Sequence, residues 1–130
     1  MKHSKINQPS ESELEILQIL WEHEPATVRQ VFEHISAKRE VSYTTILTFL
    51  QRMTAKNMVT RTKEGKTHYY TSVPKESEVQ ESLSKRLLNT VYKGSGLKMA
   101  LHALGQSKVA PEELEALQQW LASQKQEGDE

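Results

Sequence analysis

Thr44, Thr45 and Thr48 stand together in the stretch "SYTTILTFLQRM", residues 42–53, and Arg52 and Lys56 follow at helical spacing. Side chains of these types suit recognition better than catalysis. A threonine hydroxyl donates and accepts a hydrogen bond, its methyl group packs against a thymine methyl, and a guanidinium reaches a guanine edge or a phosphate. Threonine is also a mediocre helix former, because its branched Cβ loses rotamer freedom against the preceding turn. A helix that needed only solubility gains nothing from three of them on one face. Long side chains along a whole helix front would hold it away from base edges, whereas short ones let it approach. Three threonines on a helix, taken alone, are more often a solvated face, so the neighbouring elements must decide.

At about 100° per residue, Ile46, Phe49, Leu50 and Met53 share one side of this helix. Thr44, Thr45, Thr48, Gln51, Arg52, Ala55 and Lys56 share the other. Ser42 is placed to cap it, and Asn57 is the expected left-handed residue that closes it. Two helices precede it. The first opens at Ser10 with Glu13 in the capping-box position and carries Leu14, Leu17, Leu20 and Trp21 on one face, with Ile16 nearby. It ends before Pro25, which disfavours helical geometry in the residue ahead of it. The second opens at Thr27 with Gln30 in the matching position and carries the stripe Val28, Val31, Phe32 and Ile35. After Asn57, "MVTRTKEGKTHYYTSV" predicts two strands around "KEGK", with Gly65 supplying the positive φ of a tight turn and Pro74 closing the hairpin. Three short helices and a hairpin predict a winged helix-turn-helix domain over residues 10–74, behind a flexible arm at 1–9.

Residues 75–125 predict a separate helical module, followed by a polar tail at 126–130. Its stripes are Leu83, Leu87, Leu88 and Val91; then Leu97, Leu101 and Leu104; then Leu114, Leu117, Trp120 and Leu121 after Pro111. So short a segment cannot bury all three stripes by itself. Pairing with a second copy would bury Leu101, Leu104, Leu117, Trp120 and Leu121 between protomers; folding back on the amino-terminal domain is the alternative. The expected fold class is mainly α with a small β-hairpin: a winged helix-turn-helix domain plus a carboxy-terminal helical dimerisation region.

Charge cancels overall, with 17 basic and 17 acidic side chains in 130 residues, but not locally. Between residues 41 and 73, Arg52, Lys56, Arg61, Lys63 and Lys66 face a single acid, Glu64. The segments on either side are both net acidic. A basic patch centred on the third helix and the hairpin is the electrostatic footprint of a phosphate-backbone binder.

Other chemistries find little support. The chain has no cysteine, which removes disulfides and thiolate metal sites and suits a reducing compartment. His3, His23, His34, His68 and His102 form no HxH or HxxxH pair. Gly94 and Gly96 lack the strand-turn-helix setting of a phosphate cradle, and the acids of "ESELE" and "PEEL" complement helix dipoles. No enzyme, metal or cofactor is expected. The polar start and the lack of any window of roughly 18 apolar residues predict a cytoplasmic protein without membrane insertion.

The stretch "VSYTTILTFLQRMTAKNMVTRTKEGKTHYY" resembles the BlaI/MecI/CopY family of penicillinase-repressor-type transcription regulators, in which "YTTV-T-L-RL--KGLV-R---GR---Y" spans recognition helix and wing. Tyr43, Thr44, Thr45, Thr48, Leu50, Arg52, Lys56, Val59, Arg61, Gly65 and Tyr70 match by position. "ESELEILQILWE" resembles the family's opening helix, and the likeness covers residues 10–73, with only the layout shared beyond. It implies a homodimer that binds a double-stranded DNA operator of dyad symmetry and represses adjacent genes. By position it assigns Thr45, Thr48 and Arg52 to base readout. It places Ser42, Thr44 and Lys56 near phosphates, and Lys63, Lys66 and His68 in the wing. Asn57 replaces a glycine and Lys66 an arginine, without loss of the needed geometry or charge. The family also implies relief of repression through a membrane sensor or protease. This chain has neither the cysteine cluster of copper-responsive members nor the Asn–Phe pair at which penicillinase repressors are cut. The leading expectation is therefore a dimeric winged-helix repressor. The alternative is a winged helix used as a protein-interaction module, without specific DNA binding.

Overall fold

Helix α1 (Glu11–His23) begins where the Ser10 hydroxyl accepts from the Glu13 N–H and the Glu13 carboxylate accepts from the Ser10 N–H, in a computed structural model that describes residues 8–128. The same reciprocal pair, Thr27 with Gln30, starts α2 (Val28–Ser36). Helix α3 (Tyr43–Ala55) starts at Ser42. It ends in a Schellman turn: Asn57 takes φ 64°, the Met58 N–H donates to Met53 O, and the Asn57 N–H donates to Thr54 O. Met58 and Met53, the apolar pair expected of that turn, are both buried.

Strands β1 (Val59–Glu64) and β2 (Thr67–Ser72) pair antiparallel, with Arg61 opposite Tyr70 and Lys63 opposite His68. Gly65, at φ 64°, takes the first central position of the two-residue turn, where only glycine adopts positive φ without strain. A third segment joins this hairpin. Ala26, between α1 and α2, exchanges both backbone hydrogen bonds with Tyr70, at 3.0 and 2.7 Å. The Glu24 carboxylate accepts from the Ser72 N–H and hydroxyl, fastening the end of α1 to the same strand.

The core is the meeting of Ile16, Leu17 and Leu20 with Val31, Ile35, Ile46, Leu50, Met53, Val59 and Tyr70. The expected face of α1 is shifted. Leu14 is only half-buried, and the stripe that enters the core is Glu13, Ile16, Leu17 and Leu20, at i, i+3, i+4 and i+7. An acid inside an apolar stripe breaks the hydrophobic pattern and draws the eye to the wrong leucine.

The chain divides into two compact units, residues 1–85 and 86–130, so the division falls inside α4 (Glu76–Thr90) and not at the expected 74/75. The start of α4 belongs to the first unit because it packs there. Val79 is buried, the Gln8 amide donates to Ser82 Oγ at 2.7 Å, and the Trp21 indole donates to the carbonyl of Pro74 at the foot of the helix. Helical periodicity marks where a helix begins but not whose neighbour it becomes. Of the arm expected at 1–9, residues 1–7, with His3, lie outside the described residues.

The second unit holds the end of α4, α5 (Gly96–Gly105) and α6 (Pro111–Gly128). Helix α6 runs through most of the stretch expected as a polar tail; residues 129–130 lie outside the described ones. No residue of α5 or α6 is buried. No helix among the described residues is long and apolar enough to cross a membrane.

Candidate nucleic-acid interface

The apolar side of α3, Ile46, Leu50 and Met53, is sealed into the core, which turns the threonine side outward. Thr44, Thr45, Gln51 and Arg52 are exposed there, and Thr48 is half-buried at the centre. Ser42 and Thr45 act as a pair. The Ser42 hydroxyl accepts from the Thr45 N–H at 3.1 Å and lies 2.8 Å from the Thr45 hydroxyl, so both are ordered at the helix start. The Arg52 side chain has no hydrogen-bond or salt-bridge partner among the described residues and carries its charge on the third turn.

Beside this face runs a groove between the start of α2, α3 and the hairpin. Its lining includes Arg29, Tyr43, Gln51, Arg61, Lys66 and His68, and no acid. Within the sheet register, Arg61 and Lys63 sit on the side of the hairpin that also carries Val59 and Tyr70, because directly paired residues share a face. Of these, Arg61 lines the groove together with His68, whereas Lys63 is not among its lining residues, and the alternating Thr60 and Thr62 take the opposite side of the hairpin. Arg29 was not legible as part of this surface. It belongs to a net acidic segment, yet its guanidinium lies 5.2 Å from the Tyr43 ring centroid and 5.7 Å from that of Phe32. Stacking on Tyr43, the first residue of α3, brings a cation to the start of the recognition helix. The signal was its place one residue after Val28, at the start of the capped helix α2.

Lys56, expected near phosphates, has a different neighbour. Its Nζ lies 2.8 Å from Glu13 Oε2, and the Glu13 side chain is 5% exposed. Burial pushes the Glu13 carboxyl up, but hydrogen bonds and charge from Lys56, together with hydrogen bonds from Ser10, outweigh it and hold the group below its ordinary value of 4.5. The ionised form is thus favoured in the folded chain. Its contribution to stability is complete above the unfolded value and vanishes as pH falls through the folded one. The native chain is expected to melt above Glu13→Gln near about pH 6, with the gap closing steadily below about pH 4. Thermal melts of both across that range measure it, and a gap that stays constant to pH 3 would contradict the ion pair.

The histidines are less scattered than their sequence positions suggest. His23 and His34 stack with ring centroids 4.3 Å apart, and His102 Nδ1 lies 3.2 Å from the Tyr92 hydroxyl in the second unit. Among the described residues no group of three metal-ligating side chains comes together. The five apolar residues expected at a protomer interface all lie in α5 and α6, where Leu101 is 59% and Trp120 57% exposed, Leu104 and Leu121 are exposed and Leu117 is half-buried.

Comparison with known proteins agrees with this arrangement. A family model described as penicillinase repressor matches residues 9–123. The penicillinase repressor of Bacillus licheniformis is 33% identical over 121 residues, which cover 93% of this chain and 94% of that protein. The methicillin resistance regulatory protein MecI of Mammaliicoccus sciuri is 30% identical over 114 residues, 88% of this chain and 93% of that protein. Among solved structures, the DNA binding domain of the repressor BlaI superposes with a TM-score of 0.51 and 33% identity, over 58% of this chain and 93% of that one.

Proposed function

The chain belongs to the penicillinase repressor family, and on that premise we propose that it is a sequence-specific DNA-binding transcriptional repressor, a cytoplasmic homodimer on an operator of dyad symmetry. One observation carries the reading: an acid-free groove lined by Arg29, Arg61, Lys66 and His68 runs directly beside the outward threonine face of α3. Short polar side chains read base edges, and cations on both sides hold the phosphate backbone. In this reading Thr45, Thr48 and Arg52 specify sequence, while Ser42, Thr44, Lys63, Lys66 and His68 position the duplex. Arg29 and Arg61 join the positioning set. The unburied apolar faces of α5 and α6 support the dimer, and two-fold protein symmetry matches two half-sites. Relief of repression through a sensor or protease belongs to the same proposal, at a bond other than Asn–Phe, which this chain lacks.

A random-sequence selection at about 150 mM salt, where nonspecific electrostatic binding is screened, tests the reading. Recovery of an inverted repeat is expected. Recovery of no sequence above background would overturn specific DNA binding and make this surface a protein-docking face.

A further inference from the structure

Glu13 is the one charged side chain buried among the described residues, and its two carboxylate oxygens serve two different elements. Oε1 accepts from the Ser10 N–H at 2.9 Å and completes the start of α1. Oε2 accepts from Lys56 Nζ at 2.8 Å, across 43 positions of sequence. Lys56 is the cap residue at the carboxy-terminal end of α3, where a cation also complements the helix dipole. We infer that Glu13 and Lys56 form a clamp that sets the far end of the recognition helix against α1, and that Lys56 serves DNA binding through this contact and not through a phosphate.

The energetics favour that division of labour. A carboxylate inside an apolar stripe is costly without a partner, so Lys56 Nζ is held where Glu13 needs it. Drawing it onto a phosphate would leave Glu13 buried and charged beside Ile16, Leu17 and Leu20. Helix α3 is about 20 Å long, with its reading residues spread from Thr45 to Arg52. A shift of its pinned end therefore moves Arg52 against the groove more than it moves Ser42. The clamp makes Glu13 and Lys56 positioning residues for the interface, an inference that rests on the DNA-binding reading above.

Electrostatics alone and the clamp predict opposite signs for one substitution. Glu13→Gln removes an acid from a DNA-binding unit, which by charge alone strengthens binding to any duplex. Glutamine still offers one oxygen to cap Ser10, as capping boxes allow, but its amide nitrogen repels the Lys56 ammonium. With the full chain and the duplex recovered by selection, fluorescence anisotropy across a salt series is expected to show Glu13→Gln binding about three- to tenfold more weakly. Lys56→Met should lose a similar factor with its salt slope unchanged, and the double variant no more than the worse single one. Lys66→Ala, a phosphate contact, provides the control and should lower the slope by about one. Glu13→Gln binding as tightly as the native chain, or tighter, overturns the clamp, as does a slope loss of about one in Lys56→Met. Should Lys56→Met melt below the assay temperature, the sign of the Glu13→Gln effect decides. A native chain that binds selected and random-sequence duplexes equally would instead overturn the sequence-specific reading on which the clamp rests.

Discussion

Arg52→Ala is expected to weaken binding to the selected duplex by about 1–3 kcal/mol, roughly five- to 150-fold, while binding to a random-sequence duplex changes far less. The asymmetry follows from where the side chain stands. Arg52 lies on the threonine side of α3, in line with Thr45 and Thr48, and no side chain among the described residues engages its guanidinium. A planar fork free to turn toward a base edge suits the two acceptors of guanine, and each good bidentate pair discriminates against the wrong base by that same energy. Anisotropy titrations on the two duplexes at one salt concentration measure both arms. Equal losses on both would make Arg52 a backbone contact, and no loss on either would remove it from the interface. Lys56, one turn further on, is the instructive contrast: the sequence places it on the same face, but Glu13 occupies it.

What could be read from the chain and what could not divide along a physical line. Local chemistry was legible. Both capping boxes, the αL closure at Asn57, the glycine turn of the hairpin and the inward stripes of α2 and α3 were all set by residues within a few positions of one another. Long-range pairing was not. Nothing near Glu13 announces a lysine 43 positions away, so sequence shows the acid as a cap alone and favours Leu14 for the burial that Ile16 has. Arg29 lies in a net acidic segment, and its place beside α3 comes from the Tyr43 ring it stacks against, a long-range contact. Ala26 is flanked by Pro25 and Thr27 and carries no strand signal, yet it adds a bridge to β2 that seats the wing against the turn between α1 and α2. The interface thus had a readable centre, the threonine face, and margins that only folding assembled.

The largest effect is expected at the residues furthest from the basic surface in sequence. Leu101→Glu combined with Trp120→Glu should convert the protein from dimer to monomer in sedimentation equilibrium and lower affinity for an inverted-repeat duplex by about a hundredfold or more. Leu101 and Trp120 are both more than half exposed. A partner copy would bury them together with Leu104, Leu117 and Leu121. The gain on DNA comes from linkage: once one recognition helix is seated, its twin meets the second half-site at high effective concentration, with no new contact required. Affinity for a duplex carrying a single half-site should therefore survive the double substitution. Survival on the half-site with loss on the full site separates a dimerisation defect from a folding defect. A variant that stays dimeric, or that loses both duplexes equally, would place the protomer contact elsewhere or assign these helices to the stability of the whole chain.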